Sequence, residues 1–196
     1  MIQNDSELKE IIKQINENLQ LVSEYIGPED PDKYDHNDFL IRIPRGYIRK
    51  ASEHRDRISF IGDQTLIKNI SYSLLLSDFY CWLLNRTGIS LTLREMIIKS
   101  GITLYCSIAE SLLRIDPLKN IRPNKSFKRR LEGMLNVGYI DVELKNKLSW
   151  LWDARGNIHL YILNNPEYKK YNDEDYNKAA TITSELLEVL RKIKEG

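Results

Sequence analysis

Excess charge of either sign is missing from this chain: 29 Lys and Arg stand against 28 Asp and Glu in 196 residues. No basic field covers the whole molecule, so any grip on nucleic acid has to be local. Cysteine is scarce as well. The two residues, Cys81 and Cys106, both fall inside apolar helical runs, which excludes a disulfide framework and suits free thiols in a reducing cytoplasm. Long hydrophobic runs are lacking too. The most apolar window, "SYSLLLSDFYCWLL", is too short to span a bilayer and is interrupted by Asp78. The opening "MIQNDSELKE" has no basic start followed by an apolar run, so it does not read as a signal peptide. A membrane partner is not expected.

Several chemical signatures are also absent. The sequence has no Gly-rich phosphate loop, no Cys pair at metal spacing and no nucleophile elbow. Asp32, Asp35, His36 and Asp38 cluster in one loop, but without the ordered spacing and turn glycine of a calcium site, and with too few histidines for zinc. Neither a metal nor another cofactor is expected. His54, among charged neighbours, reads as a surface residue.

What the chain does have is helical periodicity. Leu8, Ile11, Ile12, Ile15, Leu19, Val22 and Ile26 repeat at helical spacing after an Asn4 and Glu7 capping signal, and Gly27 and Pro28 end the run. A loop rich in Pro and Asp follows, then a short extended piece and a short helix. Residues 1–62 are therefore read as an amino-terminal extension and 63–196 as the main body. Five further helices are expected there, over 64–86, 92–115, 125–136, 141–163 and 172–194, the last capped by Asn172 and Asp175. No strand alternation of useful length and no internal repeat is present. The fold class is all-α, a helical bundle of about five helices with an amino-terminal helical extension.

The stretch "LWDARGNIHLY" is the most informative. Leu144, Leu148 and Leu151 set a stripe whose next members are positions 155 and 158 or 159, and Arg155 and His159 stand there. Residues four apart share a helical face, so a guanidinium and an imidazole can converge on one phosphate. Arginine keeps its charge while histidine moves a proton near neutrality. Those are the parts needed to cleave RNA without a metal. A structural alternative stands beside this: cations suit a helix carboxyl terminus, and an arginine in an apolar stripe can pair with a buried acid. Glu110, one turn from Cys106 and from Leu113, borders an apolar face and needs a partner, for which Arg155 is the candidate.

Two basic runs are present. Lys119, Arg122, Lys125, Lys128, Arg129 and Arg130 precede the Arg155 helix; they would hold an RNA backbone if they rim the same cleft, and otherwise form a solvated face. Arg42, Arg45, Arg49, Lys50, Arg55 and Arg57 are interleaved with Tyr47 and Phe60 but broken by Glu53 and Asp56, the pattern of an ordinary amphipathic surface.

The segment "SFKRRLEGMLNVGYIDVELKNKLSWLWDARGNIHLY", with "IIKSGITLYCSIAESLL" upstream, resembles the HEPN domain family over about residues 64–194. The resemblance implies an all-α bundle that dimerises to bring two Arg and His pairs into one site. It also implies metal-independent endoribonuclease activity in a toxin, antiphage or RNA-processing role, with Arg155, His159, Glu110 and Asn157 as site residues and Lys125, Lys128, Arg129 and Arg130 as RNA contacts. Three residues separate Arg155 from His159, fewer than the family usually places there, and Gly156 directly follows the arginine. An inactive family member that binds RNA, a nucleotide or a protein partner, such as an antitoxin or a defence-system component, is the alternative expectation.

Overall fold

In a computed structural model of the chain, which describes residues 1–26, 42, 48–115, 118, 126–156 and 171–195, the helical periodicities become seven α-helices and one 3-10 turn. No strand occurs among the described residues. The chain divides into two compact units, Met1–Pro44 and Arg45–Gly196.

The first unit holds α1, Asp5–Ile26. The backbone N–H of Glu7 donates to Asn4 Oδ1 at 3.0 Å, and the Glu7 carboxylate accepts from the N–H of Gln3 at 2.8 Å, so both start signals are used. None of its residues is buried.

The second unit is an all-α bundle of α2 (Ala51–Arg57), a 3-10 turn (Ser59–Ile61), α3 (Gln64–Arg86), α4 (Leu91–Leu112), α5 (Phe127–Asn136), α6 (Val142–Gly156) and α7 (Asp173–Glu195). The unit boundary at Pro44 differs from the extension read over 1–62. Ile58 and Ile61, just before α3, are buried in the core, and α2 and the 3-10 turn pack on α3. The sequence hid this because a seven-residue helix shows too few turns for its inner face to be read.

Three of the helix starts in this unit are capped by a nearby side chain, whereas Ser90 and Ser126 precede α4 and α5 without a side-chain cap bond. Asp63 accepts from the N–H groups of Thr65 and Leu66, Asp141 from that of Leu144, and Asn172 and Asp175 cap each other's backbone reciprocally at 3.1 Å. Between α5 and α6 the chain reverses at Gly138, whose φ of 76° is left-handed, while Tyr139 N–H reaches back to the Met134 carbonyl at 3.0 Å. Glycine suits that position because it has no Cβ to oppose the conformation.

Helix α4 is the centre of the unit. Ile102, Cys106, Ala109 and Leu112 are fully buried, and α4 packs against α3, α6 and, most extensively, α7. Gly101 makes the α7 approach possible: a Cβ there would collide with the buried ring of Tyr176. Tyr176 meets Tyr105 edge-on at 5.6 Å and donates its hydroxyl proton to the Ser77 carbonyl on α3 at 3.1 Å. Lys147 on α6 reaches Glu185 on α7 at 3.1 Å, and Arg94 on α4 reaches Asp173 at the start of α7 at 2.7 Å. No helix among the described residues is long and apolar enough to cross a membrane.

Candidate functional site

The stripe on α6 is as its spacing demands. Leu144, Leu148 and Leu151 are buried, with Leu148 and Leu151 fully so, and the next position brings Arg155 to the edge of the core with a third of its side chain exposed. Two neighbours fix it. The guanidinium lies 5.1 Å from the centroid of the Trp152 ring, a cation–π contact, and Trp152 itself stacks on Phe127 of α5 at 4.7 Å with an interplanar angle of 11°. On the other side Nη1 of Arg155 donates to Oε2 of Glu110 on α4 at 3.2 Å.

Glu110 is shared. Its Oε1 accepts from Nη2 of Arg114, one turn on, at 2.9 Å, so one carboxylate stands between two guanidinium groups and the trio keeps a net positive charge. Beneath it lies Cys106, whose thiol burial pushes up to about 12; the nearby Arg155 pulls the other way and Glu110 adds to the rise. A thiol so protonated is packing, not a nucleophile.

The expected basic residues divide. Lys128 is exposed and pairs with Asp153 at 2.7 Å, two residues before Arg155, and Arg129 is exposed. Arg130 donates to the Leu113 carbonyl at 3.1 Å, which caps the end of α4 beside Arg114. Through these bonds α5 is tied to the same end of the bundle as Arg155 and Glu110. His159, Asn157 and Lys125, like Lys119, Arg122 and the Asp32, Asp35, His36 and Asp38 cluster, lie outside the described residues. Among the described residues there is no cluster of side chains able to hold a metal ion.

A second polar cluster escaped the sequence reading. His54, expected at the surface, is 1 % exposed. Its Nε2 lies 2.9 Å from Oδ2 of Asp78, and Arg49 Nε donates to the same oxygen at 2.9 Å. Burial works to raise the Asp78 carboxyl; the Arg49 hydrogen bonds and charge, joined by His54, outweigh it and hold the group below the usual carboxylate range. Asp78 itself was the available signal: an acid inside the most apolar window of the chain has to find partners. Arg49 is thereby a structural arginine, drawn out of the second basic run.

No family model, curated protein or solved structure matches the chain. Its own geometry is therefore the ground for a functional reading.

Proposed function

We propose that the chain is a HEPN-type endoribonuclease that needs no metal, acting in the cytoplasm as a homodimer with a composite site built from Arg155 and His159 of each copy. The observation that carries this reading is the Arg155 to Glu110 ion pair: the guanidinium stands at the rim of the bundle, oriented by a carboxylate on one side and an indole face on the other, yet partly open to a ligand. In this mechanism His159 takes the proton of a ribose 2′ hydroxyl as that oxygen attacks phosphorus. The 5′ oxygen leaves with a proton from the second copy's histidine, giving a cyclic 2′,3′-phosphate and a 5′ hydroxyl. Arg155 stabilises the charge that grows on the phosphorus oxygens. Asn157 contributes a polar group beside the scissile phosphate, and Lys125, Lys128, Arg129 and Arg130 hold the RNA backbone by sequence-independent attraction. A toxin or antiphage role accords with such an activity.

The test is incubation of purified protein and its His159→Ala variant with mixed RNA in EDTA, with the oligomeric state recorded on the same samples. Cleavage by the parent alone supports the proposal, and cleavage by both variants rejects it.

Three observations favour a second reading. Glu110 already neutralises part of the arginine charge, and Gly156 with the short Arg155 to His159 spacing departs from the catalytic pattern. A non-catalytic module that binds RNA, a nucleotide or a partner protein, such as an antitoxin or a defence-system component, is then the function. Inactivity of a well-folded parent toward RNA, with stable capture of such a partner, would establish it.

A further inference from the structure

Helix α1 carries an apolar seam that the ribonuclease reading does not use. Leu8, Ile12, Ile15, Leu19, Val22 and Ile26 are separated by four, three, four, three and four residues, the alternation of a heptad repeat. A straight helix with 3.6 residues per turn would drift away from such a seam, whereas two helices wound left-handedly around each other keep it facing inward. The first five of these side chains are 38 to 50 % exposed, and among the described residues none fully buries any part of the seam, which runs along a helix of 22 residues, about 33 Å long.

We infer that this seam pairs with the same seam of a second copy of the chain, forming a two-stranded coiled coil. The arrangement of charge supports a copy of itself as the occupant. The positions flanking the seam on one side are Lys9, Asn16 and Ser23, and on the other Ile11, Asn18 and Tyr25, so the flanks bring no like charges together in either orientation. Asp5, in register with the seam three residues before Leu8, would face its own copy in a parallel pair, and an antiparallel pair keeps the two carboxylates apart. The flank of Lys9, Asn16 and Ser23 is wholly polar and bounds the stripe on that side, while Ile11 and Tyr25 widen it on the other. The outer face carries most of the remaining charge, including the Lys13 to Glu17 pair at 3.9 Å.

A membrane surface is disfavoured. Asp5, Glu7, Glu10, Glu17 and Glu24 outnumber Lys9 and Lys13, which leaves the helix with a net charge of −3, five acids against two bases, the wrong sign for anionic lipid. Six seam side chains from each copy would remove on the order of 1,000 Å² from water, the size at which specific association begins. This inference does not rest on the ribonuclease reading.

The experiment is sedimentation equilibrium of the full chain over a range of micromolar concentrations, with Ile15→Glu and Leu19→Glu on the seam and Glu17→Lys on the outer face as the control. The unfolding temperature of each variant reports whether the bundle is intact. The expected result is a reversible dimer in the parent and the Glu17→Lys variant, weakened about tenfold or more by either seam substitution while the bundle melts unchanged. A parent that stays monomeric overturns the inference, as does a dimer that the seam substitutions weaken by less. That second outcome places self-association elsewhere and leaves the ribonuclease reading standing, since RNA cleavage is scored separately.

Discussion

Arg155 on α6 and Glu110 on α4, 45 positions apart in the chain, meet through an ion pair of 3.2 Å at the rim of the bundle. About a third of each side chain remains exposed, so water screens the attraction and the pair adds little to stability. Glu110→Gln and Arg155→Lys should each shift the urea unfolding free energy by less than about 1 kcal/mol. Under the ribonuclease reading the same Arg155→Lys protein loses RNA cleavage, because an ammonium cannot reproduce the fork. A large stability loss from either change would make the pair a structural strut instead.

Gly101 predicts the opposite balance. Alanine is the better helix former by about 0.5–1 kcal/mol, yet its Cβ would drive the buried Tyr176 ring off its place between α4 and α3. Gly101→Ala should therefore destabilise by about 1–2 kcal/mol net, as overpacking does, and Gly101→Ala with Tyr176→Leu should recover part of the loss. Chemical denaturation of the two variants and the parent decides this.

The Asp78 cluster makes stability depend on acid. The Asp78 carboxyl is held below its ordinary value in the folded chain. Its ionisation therefore stabilises the fold fully above the unfolded value of about 4, and that contribution is lost as pH falls through the folded value. Asp78→Asn should cost about 2 kcal/mol at neutral pH. The gap between parent and variant should close below about pH 4, which urea titrations at stepped pH will measure; a gap that stays constant would contradict it.

The two thiols should behave differently. Cys81 is exposed and Cys106 has no accessible surface, with its thiol pushed up to about 12 by burial. A thiol reagent at mildly alkaline pH should therefore titrate one group per native chain, and both after denaturation. Fast reaction of both in the native state would mean that α4 is not packed as described.

How much of this was legible in the sequence depended on how many turns carried each signal. α3 spans 64–86 as its periodicity demands, and α7 starts at the Asn172 and Asp175 cap. Arg155 could be placed on the stripe because three leucines upstream set it, and its acid was found because Glu110 bordered an apolar face, although its second partner, Arg114, was not foreseen. His54 could not be placed the same way. Its helix has seven residues, and the partner that buries it lies 24 positions away, a tertiary choice that no local pattern encodes. Helix α4, expected over 92–115, ends earlier, at Leu112, because Leu113, Arg114 and Ile115 continue as a turn with amide bonds back to Ala109, Ser111 and Leu112.

The heavy packing of α7 on α4 bears on how the chain is made. Every other helix of the bundle precedes α7 on the ribosome, so the face of α4 that α7 covers, with Gly101 and its notch for Tyr176, emerges well before its cover. Until then an apolar surface at the centre of the bundle is open to water and to neighbouring nascent chains, the period when chaperones and aggregation compete for it. Translation pauses before residue 173 lengthen that exposure, and the finished fold waits on a helix that arrives late.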